Sequence, residues 1–220
     1  MHLTSATTLN FWKQRLGEVP DSVWERIDVE ALVLAGNDLS VVSEQIGRLK
    51  RLRMLDLGHN ELTLVPESLG EIEGLSDFLY LHDNRLAVLP DSLSRLKRLR
   101  YLNISENAFE VVPECVCGMV SLRELRASDN PLRSLPDWLQ QLTSLRELHL
   151  RNTRIESLPE SIARCVDLRQ IDLRGTPLRS LPEGLATLPR LEKLDLRWVE
   201  TMESPAWLAE LEARGCVIYR

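Results

Sequence analysis

The stretch LRMLDLGHNELTLVPESL, from Leu52 to Leu69, decides the fold of this chain. It follows the pattern L-x-x-L-x-L-x-x-N-x-L-x-x-L-P-x-x-L almost completely, and the pattern runs along most of the sequence. The asparagine position recurs every 23 residues, with one interval of 24, and is occupied by Gln14, Asn37, Asn60, Asn84, Asn107, Asn130, Thr153, Thr176 and Val199. The proline position, six residues later, keeps the same spacing. Two marks that share one period over nine units predict a protein built from stacked repeats.

The structure of one unit follows from its side chains. The L-x-L stretch alternates, which is the period of a short strand with one buried face. One strand cannot bury that face alone, so neighbouring units stack into a parallel sheet over a continuous leucine core. The asparagine lies at the turn after the strand, where its amide can satisfy unpaired backbone groups. Thr153 and Thr176 imitate it only in part and Val199 cannot, so this asparagine ladder is predicted to weaken toward the C-terminus.

The proline opens the return segment of each unit. Its fixed φ suits the first position of a helix. An acidic residue, such as Glu67 or Asp91, follows almost every time. A carboxylate there favours a helix N-terminus through the backbone dipole, so a short helix or 3-10 turn is predicted on the convex side.

These units resemble leucine-rich repeats over residues 9–206. The LPxxL return segment is similar to that of the cytoplasmic Ras-suppressor and plant Ras-group-related repeat proteins, and of many bacterial repeat proteins. The resemblance implies an α/β solenoid: a leucine-rich-repeat horseshoe with a parallel concave sheet of about nine strands and short helical or 3-10 segments on the convex side. It also implies a protein-binding role with the ligand on the concave sheet. The repeat motif contains no catalytic residue to carry over.

We expect one leucine-rich-repeat domain over residues 1–220. Residues 1–28 form an N-terminal cap and a degenerate first repeat, residues 29–199 the repeats, and residues 200–220 a C-terminal cap with a helix and a last short strand. The 24-residue interval between Asn60 and Asn84 predicts a bulge or a longer return turn before Leu79.

Composition excludes several classes of protein. The 220 residues carry a net charge of −6, which argues against a nucleic-acid partner, and no apolar run of about 18 residues exists to span a membrane.

The four cysteines fit neither a disulfide framework nor a paired zinc motif, so we expect buried free thiols in a reducing compartment. The start MHLTSATTLNFWK has no basic or apolar region typical of a secretory signal. We expect a cytoplasmic monomer; delivery into a host cell by a signal-independent route stays open.

The residues between the core leucines should point outward on the concave face, at positions 6, 4, 2 and 1 before the asparagine mark. Those that carry aromatic, histidine, arginine or other contact-forming side chains are our candidate partner-binding residues: Met54, Asp56, His59, Phe78, Tyr80, His82, Tyr101, Arg126, His149, Arg151, Arg174, Arg197 and Trp198.

Two features of this face each have two interpretations. The aromatic group Phe78, Tyr80 and Tyr101 is either a binding hot spot, which we favour, or a set of cross-strand pairs that stabilises the sheet. The arginine row Arg151, Arg174 and Arg197 either pairs with neighbouring acids in a solvated ion-pair lattice, which we favour, or docks an acidic peptide or carboxylate.

A catalytic or metal site can be drawn but is not predicted. His82, Ser105 and the aspartates Asp56 and Asp83 could form a Ser-His-Asp set, and His59, His82 and the same two aspartates could ligate a metal. An open sheet lacks an oxyanion device and a water-excluding pocket. We therefore expect a non-enzymatic protein- or peptide-binding module without cofactor or metal. The alternative is the substrate-recognition part of a bacterial effector or ubiquitin-ligase-type adaptor that acts in another cell.

Overall fold

The computed structural model describes residues 7–220 and shows one open, parallel sheet whose ten strands lie in sequence order. Each strand has three residues. They are β1 (Thr8–Asn10), β2 (Ala31–Val33), β3 (Met54–Asp56), β4 (Phe78–Tyr80), β5 (Tyr101–Asn103), β6 (Glu124–Arg126), β7 (Glu147–His149), β8 (Gln170–Asp172), β9 (Lys193–Asp195) and β10 (Val217–Tyr219). This confirms the predicted repeat horseshoe. The tenth strand is the short one predicted in the C-terminal tail, and the first six residues of the predicted N-terminal cap lie outside the described residues.

The core is a column of aliphatic side chains behind the sheet. The middle residue of each strand from β2 to β9 is a buried leucine or isoleucine, and equivalent leucines before and after the strand are also buried. Two rings join them: Trp24 closes the N-terminal end, and Phe109 takes a leucine position in the fifth unit. Because each unit supplies the same set of side chains, the core is continuous from unit to unit.

The return segments form short helices directly after the proline mark. Seven are 3-10 helices of five residues: Glu44–Arg48, Glu67–Glu71, Asp91–Arg95, Glu114–Gly118, Asp137–Gln141, Glu160–Arg164 and Glu183–Thr187. Each begins at the acidic residue that follows the mark, as the dipole argument predicts. In the unit without proline, the Ser43 hydroxyl accepts a hydrogen bond from the Gln45 N–H at 3.2 Å and caps the helix.

The predicted asparagine ladder is present in the repeats that have asparagine at the mark and does not continue into the repeats that have threonine there. In the fifth unit, Asn107 Nδ2 donates to the backbone oxygens of Ile104 and Ser105 in its own unit and of Leu81 in the preceding one. Its Oδ1 accepts from the Leu86 N–H at 2.9 Å. Thr153 Oγ1 instead donates only to Leu150 O in its own unit, and Thr176 Oγ1 only to Leu173 O. The predicted weakening toward the C-terminus is therefore confirmed.

The extra residue of the long interval lies in the return turn before β4, at Ser76 and Asp77. Strand register continues through it, with Met54 paired to Phe78 and Phe78 paired to Tyr101. The extra residue precedes the strand: the Asp77 N–H bonds to Arg53 O while the Arg100 N–H bonds to Ser76 O, so Ser76 and Asp77 share the position that one residue holds in the other repeats. Since the insertion stays outside the strand, the aromatic side chains of β4 remain on the same face as those of β5.

The ends of the sheet carry their own elements. Helix α1 (Asp21–Trp24) follows β1, and helix α2 (Leu208–Ala213) buries Leu208 and Leu211 against the last repeat before β10 adds to β9. None of the helices in residues 7–220 has the length and apolarity needed to cross a membrane. All four cysteines are free, and burial raises the pKa of Cys115 to about 12 and that of Cys165 to about 11.

Candidate functional site

The predicted outward residues lie on one face of the sheet because side chains alternate along each strand. In β3, for example, Met54 and Asp56 are half-buried on the open face while Leu55 between them is fully buried. Just after each strand, the residue before the asparagine mark adopts a positive φ, which His59 and Trp198 do at 53° and 62°. This left-handed turn ends the strand and directs the chain away from the face.

Three rings form an aromatic cluster, which we define as Phe78, Tyr80 and Tyr101. The Tyr80 and Tyr101 rings are 4.9 Å apart between centroids, and Phe78 lies 5.4 Å from Tyr101 and 5.9 Å from Tyr80. Phe78 remains 42% exposed, which is a large apolar surface for a side chain that already has two ring partners. Burial raises the pKa of Tyr101 to about 12 and also raises that of Tyr80, so both hydroxyls stay protonated at neutral pH.

The two arginines that follow β8 and β9, Arg174 and Arg197, cover buried aspartates of these strands. Arg174 donates from Nε and Nη2 to both oxygens of Asp172 at 2.9 and 2.6 Å. Arg197 binds Asp195 in the same way at 2.9 and 2.7 Å. The Asp195 side chain is only 1% exposed. The lattice predicted from the sequence is present, and most of it is partly exposed as expected, but Asp172 and Asp195 are buried beneath the guanidinium groups.

The arginine pairs govern the ionisation of these aspartates. Burial alone would raise the pKa of Asp172, but the His149 imidazole, with Nδ1 4.0 Å from Oδ2, and the hydrogen bonds from Arg174 outweigh it and hold the pKa well below its usual value. The same balance, with Arg197 as donor, lowers the pKa of Asp195. Two bidentate pairs side by side leave the arginines little capacity for a further carboxylate.

The lattice continues into β6 and β7 around His149. Its Nε2 lies 3.3 Å from a Glu147 oxygen and 3.7 Å from a Glu124 oxygen. Arg126 Nε donates to that same Glu124 oxygen at 2.6 Å, and its guanidinium lies 5.9 Å from the Tyr101 ring centroid. The two glutamates and the histidine are close enough to share a cation, but Arg126 already neutralises one of them. Arg126 thus joins the charged half of the face to the aromatic cluster.

The remaining predicted arginine and tryptophan lie toward the strand ends. Arg151 pairs with Asp129 at 2.9 Å and belongs to the lattice. Trp198 is 66% exposed at the last repeat, with the Arg197 guanidinium 5.8 Å from its ring centroid. It lies far along the sheet from the aromatic cluster, which is on β4 and β5, so the structure does not bring these aromatic residues into one site.

A histidine pair, His59 and His82, stands at the ends of β3 and β4. His59 Nδ1 is 2.6 Å from Asp83 Oδ2, and the two Nε2 atoms are 3.2 Å apart. His82 fits against the backbone of Gly58, where an added Cβ would lie 2.3 Å from the imidazole. Burial and the neighbouring His59 ring lower the pKa of His82. Within residues 7–220 no hydrogen bond joins His82 to Ser105, so the Ser-His-Asp set drawn from the sequence has no nucleophile–base contact.

Sequence reasoning missed a row of arginines at the starting edge of the sheet. This arginine edge is made of the residues directly before the strands: Arg53, Arg100, Arg123, Arg146 and Arg169. Asp77 interrupts it and lies 3.1 Å from Arg53 and 3.8 Å from Arg100. In the sequence these arginines all stand seven residues before the asparagine mark. Because that position precedes the strand, the alternation of strand residues does not assign it to the concave face.

The arginine edge and the aromatic cluster meet in a shallow groove. Phe78 and Tyr101 form its apolar side, and Arg53, Arg100 and Arg123 its charged side, around a space of about 430 Å³. In the described part of the chain, neither Arg100 nor Arg123 has a carboxylate closer than the 3.8 Å of the Asp77 contact. Asp77 and Glu124 also line the groove, and Asp77 pairs with Arg53 and Arg100. The groove therefore offers ring surface beside guanidinium groups, of which Arg123 has no ion-pair partner among residues 7–220.

Sequence comparison identifies the repeats. Models described as leucine-rich repeats match residues 51–72, 77–132 and 120–163. No curated protein matches the chain. The narrower resemblance to Ras-suppressor proteins stays a prediction.

Solved structures share the fold. A leucine-rich-repeat protein of Leptospira interrogans is 24% identical with a TM-score of 0.72, over 93% of this chain and 64% of that one. The ectodomain of the Arabidopsis thaliana receptor kinase GASSHO1/SCHENGEN3, in complex with CASPARIAN STRIP INTEGRITY FACTOR 2, is 25% identical with a TM-score of 0.76, over 88% and 24%. The plant peptide hormone receptor RGFR1, in complex with RGF2, is 19% identical with a TM-score of 0.70, over 91% and 41%. The chain thus spans less than two thirds of each structure.

Proposed function

This chain is a leucine-rich-repeat protein, and from that premise we propose that it is a non-enzymatic module that binds a protein or peptide on the concave face of its sheet. The observation that carries the proposal is the aromatic cluster beside the arginine edge. Tyrosine and arginine dominate binding hot spots because each combines a large contact area with polar groups that select an orientation.

The exposure of the cluster favours binding over sheet stabilisation alone. Cross-strand stacking is satisfied by the close contact of Tyr80 with Tyr101. Phe78 adds an exposed ring on the outer side, next to guanidinium groups that have few partners within the chain. A large ring left in water beside guanidinium groups that, among the described residues, have only one shared carboxylate between them is typical of a surface that a partner covers.

The charge distribution favours the groove over the lattice as the anchor point. Arg174 and Arg197 are engaged by aspartates beneath them, whereas Arg100 and Arg123 are not engaged in this way. We propose that a partner segment places an apolar or aromatic side chain on the cluster and an acidic group on the arginine edge. The Arabidopsis ectodomain, solved with a bound partner, supports a binding role for this repeat architecture.

The test is a peptide-display selection on the full chain, run in parallel on a Phe78→Ala/Tyr101→Ala double variant. We expect peptides with an aromatic residue near acidic residues to enrich on the unsubstituted chain only. Measured by calorimetry, Tyr101→Ala should weaken the best peptide about 30-fold, the effect of losing a 2 kcal/mol hot spot.

The matched control is Val111→Ala, which removes an apolar side chain that is 61% exposed and lies outside the sheet. It should leave affinity unchanged, and circular dichroism should show that every variant is folded. Equal enrichment on the double variant, or equal affinity for Tyr101→Ala, would place the partner site elsewhere.

A further inference from the structure

We infer that His59 and His82 are the protein ligands of a binding site for a divalent transition cation of the zinc type, at the ends of β3 and β4. The inference is independent of the proposed peptide binding, because it concerns another part of the face and another kind of ligand. The sequence alone led us to expect no metal site; the geometry of the pair changes that expectation.

The distance between the two Nε2 atoms is close to the distance expected when both nitrogens bind the same cation. The two Nε2 atoms are 3.2 Å apart. Two imidazole nitrogens that hold a tetrahedral zinc ion at about 2.0–2.1 Å lie roughly 3.3 Å from each other. The rings pack edge to face with centroids 4.6 Å apart, and the His59 side chain is half-exposed, so a cation can reach the pair from solvent.

Asp83 determines which nitrogen of the His59 ring carries the proton. Its carboxylate is 2.6 Å from His59 Nδ1 and therefore accepts the proton of that nitrogen. Nε2 is then left with a free lone pair, directed at His82. A carboxylate behind a metal-binding imidazole fixes the ring orientation and raises the basicity of the ligand nitrogen.

Gly58, which has no side chain, leaves room for the His82 ring beside His59. The imidazole lies over the glycine backbone in space that a Cβ would fill to within 2.3 Å of Cε1. This close approach brings His82 next to His59, although the two residues occupy different positions of their repeats. His82 Nδ1 is buried without a partner. Nε2 is therefore the ring nitrogen of His82 that can reach a ligand, and cation binding there places the ring proton on the buried Nδ1.

The surrounding charge favours a cation. Asp56, Asp83 and Glu106 attract positive charge at His82, while burial and the His59 ring outweigh them and lower its pKa, so the imidazole is the neutral form that binds metals. By contrast, the glutamates beside His149 have the Arg126 guanidinium among them. Two imidazoles select zinc, nickel or copper over magnesium and calcium, which prefer oxygen ligands. Water can fill the remaining positions of this open site.

The test is calorimetric titration of the full chain with zinc chloride and, separately, magnesium chloride. All proteins carry His2→Ala, so that the histidine outside the described residues cannot contribute. We expect one equivalent of zinc to bind and no magnesium. Asp83→Asn should weaken zinc binding about tenfold, the usual effect of removing a supporting carboxylate, and His59→Ala or His82→Ala should weaken it further.

Two more variants separate ligation from folding. Gly58→Ala leaves both histidines in place but displaces the His82 ring, and should also weaken zinc binding. His149→Gln, the matched control, should bind zinc as tightly as the parent, and zinc should shift the imidazole proton resonances of His59 and His82 but not those of His149. Absence of zinc binding, or binding that survives His59→Ala and His82→Ala in folded protein, would overturn the inference.

Discussion

The side chain that does most to hold one repeat to the next is the asparagine at the turn. Asn107 makes four hydrogen bonds, three as donor and one as acceptor, and two of its partners lie in the preceding repeat. These partners are backbone groups next to the core, where water cannot replace a lost bond cheaply. The residue thus links secondary structure to repeat stacking.

Replacing Asn107 with alanine should lower the free energy of unfolding by about 2–4 kcal/mol, because several buried backbone groups lose their partner at once. Urea unfolding measures the change. Asn103→Ala, the same substitution in the same repeat, removes only an acceptor for the Ser105 N–H on the open face and should cost about 1 kcal/mol or less. Equal losses for the two variants would contradict the ladder interpretation.

Among single side chains, the sequence predicted the ladder, whereas it offered the histidine pair only as a metal site that was not expected. A periodic asparagine has one position in each unit, so its partners repeat and can be inferred. His59 stands one residue before its mark and His82 two residues before, so the repeat pattern alone does not predict a direct contact between their rings. The contact depends on the absence of a side chain at Gly58 and on the left-handed turn at His59.

Among the elements, β8 and β9 carry the charges that respond most to acid. A carboxyl whose pKa is lower in the folded chain than in the unfolded one stabilises the fold above the unfolded pKa, near 4 for aspartate. That stabilisation is lost as the pH falls toward the lower folded pKa. The pKa of Asp172 is lowered in this way, so the contribution of its pair with Arg174 should disappear in acid.

The Asp172→Asn variant should therefore be less stable than the parent by about 2 kcal/mol at neutral pH, and the gap should narrow as the pH falls from about 4 to about 2. Urea unfolding at a series of pH values measures both chains. Glu200→Gln, an exposed carboxylate outside the lattice, should give no such convergence. A gap that is constant with pH would show that the folded pKa of Asp172 is not lowered.

The elements differ in how far the sequence could predict them. The 3-10 helices follow from a proline with fixed φ and an acid at the next position, both visible in the sequence. The insertion before β4 could not be placed, because one extra residue fits either a strand or a turn. The structure resolves it through Asp77: its N–H donates to Arg53 O at 2.9 Å, so the backbone re-enters register before Phe78. A bulge inside β4 would have turned Tyr80 toward the core.

On the scale of the whole molecule, the open face is divided between rings and charges. The aromatic cluster lies on β4 and β5, and the ion pairs on β6 to β9, with Arg126 between them. The sequence predicted this division because strand residues alternate. It did not predict the arginine edge, since residues outside the strand have no fixed face. Nor could the sequence show that Asp172 and Asp195 are buried, because their burial depends on the conformation of the arginine side chains that cover them.

Stability should also vary along the molecule. In a solenoid each repeat contacts only its neighbours, so a weak interface lowers the stability of the repeats beyond it. The asparagine bonds between repeats end at Asn130, which donates to Ile104 O and accepts from the Phe109 N–H. Thr153 and Thr176 make no equivalent bond to the preceding repeat within the described chain. The C-terminal repeats should therefore open first.

Native-state hydrogen exchange tests this gradient directly. The strand amides of β8 and β9 should exchange with a lower opening free energy than those of β4 to β6. Thr153→Asn should raise the protection of the C-terminal repeats by about 1 kcal/mol, because the new amide can reach the groups that correspond to the partners of Asn130. Asn103→Ala, which lies outside the ladder, should leave the gradient unchanged. Equal protection of the strand amides from β4 to β9 would contradict this prediction. It would mean that the ion pairs of Asp172 and Asp195 stabilise the C-terminal repeats as much as the asparagines stabilise the others, so the ladder does not set the order of opening.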